Sequence, residues 1–483
     1  MEADHSSSRC LEAFIVALNQ SWDQEQWYTS TKELQLASLR FCGACRSVTT
    51  LCLVVTDLTP SRLLAPADAP APSPEEGSST RVPRLRARTV TWNRSTTSEL
   101  SRPLYALTDV ERLLFSGTIS TERVVWPRRL RVLYLGAGIW RQTSVNWPPS
   151  LQQLEFGEDF NWPINSVSWP PSLQQLIFGE TFNQSVVSVV WPPSLQQLEF
   201  GYEFNQPVDS ASWPPSLQQL SFGRQFNQPI GSVSWPSSLQ QLSFGVKFNQ
   251  PVDSVSWPPS LQQLSFGRKF NQPVDSASWP PSLQQLSLGY CFDQPVSGVS
   301  WPPSLQQLKF GYHFNQAVEG VAWPRSLQQI SFGGGLFNRP IEGVAWPESL
   351  RKLEFGPFFN QPIARVTWPA SLQDLSFGIL HRDGEFERFN SNFDQAINQA
   401  VWPASLRRLT LGGSFRQSLR GLGVVMRGLE DFTLLVEDYS CAVGIEWPKT
   451  LKRVKIFQYG VEKGVVVPPT VGVVVALDMR NID

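Results

Sequence analysis

Cysteine and histidine, the residue types that most often bind metals or act as nucleophiles and bases, are sparse in this chain. Cys42 and Cys45 form a CxxC pair, with Cys10 and Cys52 nearby, and such pairs occur in zinc sites and redox-active thiols. A structural zinc ion needs four ligands in a tetrahedral arrangement. A single pair favours ordinary buried or reactive thiols, so we predict no metal site.

The three histidines stand at positions 5, 313 and 381, and base chemistry would have to use His313 or His381. No Ser or Cys motif accompanies either one at the spacing of a nucleophile and its base. The sequence also contains no GxxxxGK[ST] loop and no dinucleotide-binding fingerprint. We therefore predict no catalytic residue and no cofactor.

The charge balance limits the classes of partner. The 483 residues contain 40 Lys and Arg against 41 Asp and Glu, a net charge of -1, which gives no overall field to attract nucleic acid or an anionic membrane. No stretch approaches the roughly 20 apolar residues of a membrane span, and a secretory signal is not apparent. The six scattered cysteines indicate a reducing compartment. We predict a cytoplasmic protein that binds a protein or peptide.

A repeat of 22 residues must position any such site. From Trp147 to Trp323 a Trp-Pro dipeptide recurs at every 22nd residue. In one nearly intact unit, Leu261, Leu264 and Phe266 form the apolar framework of a strand in leucine-rich repeats. Alternation along this strand puts the intervening Gln and Ser outward. A Gly ends the strand, a Phe returns to the core, and an Asn is placed to satisfy loop backbone groups.

Stacking these units buries continuous Leu, Phe and Trp columns. We predict a β-rich solenoid, a leucine-rich-repeat-like stack of about 14 coils with a parallel sheet on one face and degenerate end caps. The Trp column is expected to pack internally, not to form an exposed aromatic ladder. Twelve extra residues between Trp368 and Trp402, including an excursion from 379 to about 392, must leave the stack on one face.

The run Phe226-Asn227-Gln228-Pro229-Ile230, in its tandem setting, resembles the FNIP repeat, a leucine-rich-like unit named for its Phe-Asn-Ile-Pro signature. The resemblance implies a curved leucine-rich-repeat-like architecture and a role in protein interaction, in proteins that sometimes carry an F-box or a kinase domain. No kinase motif is visible. Three positions depart from the signature: Asp293, Ala317 and Arg339. They are expected to loosen single coils.

Three domains are predicted. Residues 1–58 form a small N-terminal cap or adaptor segment, residues 59–100 form a Pro/Ser-rich linker, and residues 101–483 form the solenoid.

The exposed positions divide into constant and variable columns. A nearly invariant outward Gln column predicts an amide ladder between neighbouring coils. The pairs after the glycine vary, as a binding face on a constant scaffold would, although drift at solvated positions predicts the same variation. Tyr and Arg are enriched in interface hot spots. The predicted partner-binding residues are Tyr202, Arg224, Lys247, Arg268, Lys269, Tyr290, Tyr312 and His313.

Acidic residues precede these cations along the chain, so the face should run from acidic to basic and favour a partner of opposite polarity. The predicted function is a non-catalytic protein-interaction scaffold that binds its partner on the outer sheet face. Two alternatives stay open: a substrate-recognition subunit of a ubiquitin ligase with a divergent N-terminal F-box, and a carbohydrate-active β-solenoid enzyme. As a third interpretation, the near-identical coils could form a passive spacer.

Overall fold

The computed structural model describes residues 48–55, 87–94, 110–116, 126–136, 145–383, 386–436, 438–457 and 465–476. The chain falls into two compact units. The first comprises residues 1–157 and 168–173, and the second comprises residues 158–167 and 174–483.

The described strands of the first unit pair in parallel, in the order of the chain. Leu113, Leu133 and Leu154 occupy equivalent positions on three neighbouring strands and are buried. The strands are β1 (Val48–Val55), β2 (Ala87–Arg94), β3 (Arg112–Ser116), β4 (Val132–Leu135) and β5 (Gln153–Phe156).

Two of these strands fall in the predicted N-terminal segments: β1 in the cap and β2 in the linker. The other residues of both segments, including Cys42 and Cys45, lie outside the described residues, as does most of the candidate F-box. The two boundaries between the three predicted domains stay predictions.

The second unit is a parallel β-solenoid with one short strand in each coil. Its strands are β6 (Gln175–Ile177), β7 (Gln197–Glu199), β8 (Gln219–Ser221), β9 (Gln241–Ser243), β10 (Gln263–Ser265), β11 (Gln285–Ser287), β12 (Gln307–Lys309), β13 (Gln329–Ser331), β14 (Lys352–Phe355), β15 (Asp374–Phe377), β18 (Arg408–Gly413), β19 (Asp431–Val436), β20 (Arg453–Phe457) and β21 (Gly472–Ala476).

The predicted excursion is an antiparallel hairpin of β16 (Ile379–Asp383) and β17 (Phe386–Asn390). It leaves the stack between β15 and β18, which still pair directly with each other. Among the described residues of the unit, helix occurs only in short connecting segments near its end: 3-10 turns at Ile397–Gln399 and Tyr439–Ala442 and a single α-turn, α1, at Leu422–Val425.

The interior of each coil follows the predicted alternation. Leu264, Phe266 and Phe270 are buried, while Gln263 and Ser265 are partly exposed. The rings of Phe266 and Phe270 lie 4.0 Å apart within their coil, and equivalent rings stack on those of the neighbouring coils. The apolar columns therefore hold successive coils together, and the predicted solenoid is confirmed.

The Trp column is packed, as predicted. Trp257 is 8% exposed, and its ring stacks on Trp279 at 6.3 Å and meets Phe266 edge to face at the same distance. The buried indole N–H groups of Trp257 and Trp279 have no hydrogen-bond partner among the described residues. Ring packing therefore holds these two indoles in place without a hydrogen bond from either N–H group.

The glycine after the strand is required by close approach of neighbouring coils. A Cβ at Gly267 would overlap the carbonyl oxygen of Gly245 in the preceding coil. The same overlap recurs at Gly223 and Gly311. Only a residue without a side chain lets the coils stack at the spacing of a parallel sheet.

Candidate functional site

The variable residue pairs occupy the corners of a β-turn that follows each strand. In one coil the Phe270 N–H donates to the Gly267 carbonyl oxygen at 3.2 Å, which leaves Arg268 and Lys269 at the two corner positions. Both side chains are exposed. The buried Gly and Phe on either side of the pair fix the turn, so its corners can vary without disturbing the core.

A backbone ladder aligns these turns from coil to coil. The Lys269 N–H donates to the Val246 carbonyl at 2.8 Å, and the His313 N–H donates to the Tyr290 carbonyl at 2.9 Å. The corner residues therefore form two regular columns with a step of about 4.8 Å. We call these columns the turn edge, which comprises residues 158–159, 180–181, 202–203, 224–225, 246–247, 268–269, 290–291 and 312–313.

All eight predicted partner-binding residues lie on the turn edge, and several are in contact. The Arg268 guanidinium lies 4.5 Å from the ring centroid of Tyr290. Tyr290 stacks on Tyr312 at 4.8 Å with 6° between the ring planes, and His313 meets both rings edge to face at 5.3 and 5.5 Å. These four side chains form one cluster, which extends over three consecutive coils.

A second contact joins Arg224 and Tyr202, whose ring centroid lies 5.0 Å from the guanidinium carbon. Lys247 and Lys269 are exposed in the other column of the turn edge. Six of the predicted residues thus form two contacting groups. The two lysines lie in the neighbouring column of the turn edge.

The cations of the turn edge have no internal counter-charge. None of Arg224, Lys247, Arg268 and Lys269 forms an ion pair with a carboxylate in the part of the chain that the structure describes. An exposed cation with no carboxylate partner can pair with an external anion without first breaking an internal ion pair.

In contrast to the cations of the turn edge, several charged side chains later in the solenoid form ion pairs with one another. Asp431 accepts hydrogen bonds from Arg453 at 2.7 and 2.9 Å, and Lys452 pairs with Glu430 at 2.6 Å. The hydrogen bond from Arg453 is the main reason that the pKa of Asp431 lies below its ordinary value. These charges are matched between neighbouring coils and stabilise the stack.

The exposed strand face next to the turn edge is a shallow groove of about 490 Å³, lined from β6 to β14 mainly by Gln, Leu and Ser. The carboxylates in its lining are Glu199 and Glu354, and Glu354 pairs with Lys352 at 2.7 Å. The face is therefore polar and nearly uniform along its length. The side chains that differ in charge and aromatic character from coil to coil lie at the turn edge beside the groove.

An amide ladder runs along the solenoid, but not in the predicted column. The Oδ1 atom of Asn249 accepts from the backbone N–H of Asn271 at 2.9 Å and from Nε2 of Gln272 at 3.1 Å. The same pair of bonds recurs in the neighbouring coils. The strand Gln residues, represented by Gln263, form no side-chain ladder among the described residues, because their side chains point into the groove.

The Phe-Asn-Gln-Pro segment thus has one structural role in the central coils that contain it: its Phe fills the core, and its Asn and Gln tie the coil to its neighbour. The chain matches the sequence profile of the FNIP Repeat family at residues 144–181, 182–225, 204–247, 226–269, 248–291, 292–335 and 337–379. The central coils are FNIP repeats.

Solved structures similar to this FNIP-repeat chain include leucine-rich-repeat proteins. CroV588, described as a circular leucine-rich-repeat protein, is 28% identical, with 81% of this chain and 73% of that chain covered and a TM-score of 0.46. YopM from Yersinia enterocolitica is 17% identical, with 82% and 84% covered and a TM-score of 0.47. No curated protein sequence matches the chain.

Departures from the FNIP signature do not all loosen their coils as predicted. Asp293 keeps the acceptor role of Asn, since its Oδ1 binds the Asn315 N–H and Gln316 Nε2, both at 2.9 Å. Arg339 replaces the usual Gln and donates from Nε to the Asn315 carbonyl at 2.7 Å. Both departures preserve the FNIP ladder because each supplies the required acceptor or donor atom.

In the described part of the FNIP-repeat chain, no group of three or more His, Cys, Asp or Glu residues could hold a metal ion. No helix among the described residues is long and apolar enough to cross a membrane. The side chain of His381 lies outside the described residues.

Proposed function

We propose that this FNIP-repeat solenoid is a non-catalytic scaffold that binds a protein or peptide partner at the turn edge and the adjoining sheet face. The observation that carries the proposal is the cluster of Arg268, Tyr290, Tyr312 and His313. Its aromatic and cationic side chains stand in mutual contact on a backbone fixed by the ladder of coils.

Side chains of this kind suit binding for two reasons. Tyr and Arg dominate the energetics of protein interfaces because they combine large apolar area with directional polar groups. Stacking of Tyr290 on Tyr312 also restricts their rotamers before a partner arrives, which lowers the entropy cost of association.

The groove chemistry supports the non-catalytic assignment. Glycoside hydrolysis uses two carboxyl groups about 5–10 Å apart. Glu199 and Glu354 lie on β7 and β14, seven coils apart, which corresponds to roughly 34 Å at the strand spacing. The pair therefore cannot act on one glycosidic bond. The two cysteines whose side chains the structure describes, Cys291 and Cys441, are free thiols, in keeping with the cytoplasmic location predicted from the sequence.

A displayed library of random peptides tests the proposal. Peptides selected on the full chain should lose at least about tenfold in affinity toward the variant Arg224→Ala, Arg268→Ala, Lys269→Ala, Tyr312→Ala, because loss of a hot spot costs 2 kcal/mol or more. The control variant, Arg325→Ala with Arg365→Ala, removes exposed arginines from turns outside the turn edge and should bind normally. Equal affinity for both variants would refute the site.

A further inference from the structure

The charged residues of the turn edge are segregated along the second unit. Its first three coils carry four carboxylates, and the next three carry four cations; all eight side chains are exposed. In chain order they are Glu158, Asp159, Glu180, Glu203, Arg224, Lys247, Arg268 and Lys269. These eight charges therefore sum to zero, but the negative charges lie at one end of the stretch and the positive charges at the other.

The distribution is also symmetric. From 158–159 onward the six coils carry two, one and one negative charges and then one, one and two positive charges. The backbone ladder keeps the coils in constant register. Each negative charge therefore has a positive counterpart the same number of coils away on the other side of the centre. The centre falls between the turns at 202–203 and 224–225. A surface of this kind is complementary to itself when it is turned end for end.

We propose that the turn edge from residue 158 to residue 269 binds a second copy of this chain in antiparallel orientation. A two-fold axis crosses the edge at its centre, which makes the contact isologous. Glu158 then faces Arg268 of the second copy, and Asp159 faces Lys269 of the second copy. Tyr202 faces Arg224 of the second copy, the same pair of side chains that are already in contact within one chain.

The remaining charges pair diagonally across the contact. Glu180 faces Val246 of the second copy, next to Lys247, and Glu203 faces Gln225 of the second copy, next to Arg224. Consecutive Cα atoms are about 3.8 Å apart, an offset within the reach of these long side chains. Each charge therefore finds an opposite charge, whereas the parallel orientation would place carboxylate on carboxylate and cation on cation.

A second copy fits this surface better than a polyanion such as RNA. A continuous phosphate backbone that met Arg224 and Arg268 would run on to Glu203 and Glu180 in the adjacent coils, and like charges placed together oppose binding. The inference does not rest on the partner proposed above. The two ligands would compete, however, because the second copy covers four of the cations assigned to that partner.

Complementary charge reversal tests the arrangement. The acid-to-base variant carries Glu158→Lys, Asp159→Lys, Glu180→Lys and Glu203→Lys. The base-to-acid variant carries Arg224→Glu, Lys247→Glu, Arg268→Glu and Lys269→Glu. Sedimentation velocity on the full chain at about 0.05 M salt should show a dimer for the native sequence and a monomer for each variant, while an equimolar mixture of the two variants should form a heterodimer.

The contact is held by exposed charges, so the dimers should dissociate at about 1 M salt, where the Debye length is about 3 Å. Reversal of charges elsewhere, Arg325→Glu with Arg365→Glu, should leave the native dimer intact. Circular dichroism verifies that every variant is folded. A native chain that is monomeric at low salt, or folded variants that do not associate when mixed, would overturn the inference. Dimers that persist in the single variants would place the contact on another surface.

Charge-reversal variants retain Tyr290, Tyr312 and His313. The acid-to-base variant also keeps Arg224, Lys247, Arg268 and Lys269, so peptide selection on this monomeric variant tests the partner site without competition from a second copy. Failure of one proposal is therefore distinguishable from failure of the other.

Discussion

At the scale of single residues, the glycine that ends each strand limits how closely coils can stack. We expect Gly267→Ala to destabilise the solenoid by about 1–3 kcal/mol, because the added methyl overlaps the Gly245 carbonyl and the coils must separate. Gly298→Ala is the matched control. Its Cβ would meet nothing closer than the Asp275 Cβ at 3.8 Å. Thermal denaturation should show a lower midpoint for the first variant alone, and equal midpoints would contradict the packing argument.

Two cysteines should differ in reactivity for an equally local reason. Cys441 is buried, and burial, reinforced by the nearby Asp438, raises the pKa of its thiol to about 11. The thiol therefore stays protonated at all lower pH values, and only the thiolate reacts. Iodoacetamide at pH about 8 should modify the half-exposed Cys291 and leave Cys441 intact until urea unfolds the chain. Peptide mass spectrometry resolves the two sites, and equal labelling in the native state would show that Cys441 is accessible.

At the scale of the coil, the Asn ladder should depend on an acceptor oxygen and not on the amide as such. Asn249→Ala should cost about 1–3 kcal/mol, since it leaves the partly buried Asn271 N–H without its acceptor and removes one of the two acceptors of Gln272 Nε2, which keeps the Asn249 carbonyl. Asn249→Asp should cost much less, because Asp293 already fills the equivalent position with the same two bonds. Thermal midpoints compare the two variants. An Asp variant as unstable as the Ala variant would show that the added charge outweighs the preserved bonds.

The coil is also the level at which sequence reasoning succeeds and fails. Leu264, Phe266 and the glycine that follows them were predictable, because side-chain alternation and close packing leave few choices at those positions. The near-invariance of the strand Gln column predicts an amide ladder there, but constancy alone does not show which constant residue is bonded. Gln263 faces the groove, while Asn271 sits in a loop whose N–H groups need acceptors.

The turn edge shows the same division. The 22-residue period predicts that Tyr290 and Tyr312 occupy equivalent positions on adjacent coils, and the structure confirms that they are neighbours. The period does not predict that His313 turns its ring edge toward both, because its rotamer depends on contacts with the particular side chains beside it and in the adjacent coil. The hairpin of β16 and β17 lies outside the repeat, so its strands had no periodic signal.

At the scale of the whole molecule, folding depends on the residues that repeat every 22 positions, whereas recognition depends on the variable residues at the corners of single turns. Deletion of residues 257–278 removes one full coil and joins Ser256 to Trp279, which restores the repeat. Nearest-neighbour stacking then survives, and the thermal midpoint should stay within about 5 °C of the native value. Deletion of residues 257–267 removes only the strand half of that coil, with Leu261, Leu264 and Phe266, and should unfold the neighbouring coils. Circular dichroism and hydrogen exchange measure both effects.

The full-coil deletion also removes Arg268 and Lys269, half of the cations that oppose the acidic coils. The charge order is then no longer symmetric about its centre, because Glu158 and Asp159 would face uncharged positions of a second copy. We therefore expect this variant to remain folded and to sediment as a monomer at low salt. If the variant stays folded but does not associate, then the periodic residues build the solenoid and the aperiodic residues give its surface a function. If it forms a folded dimer, then association does not use the turn edge.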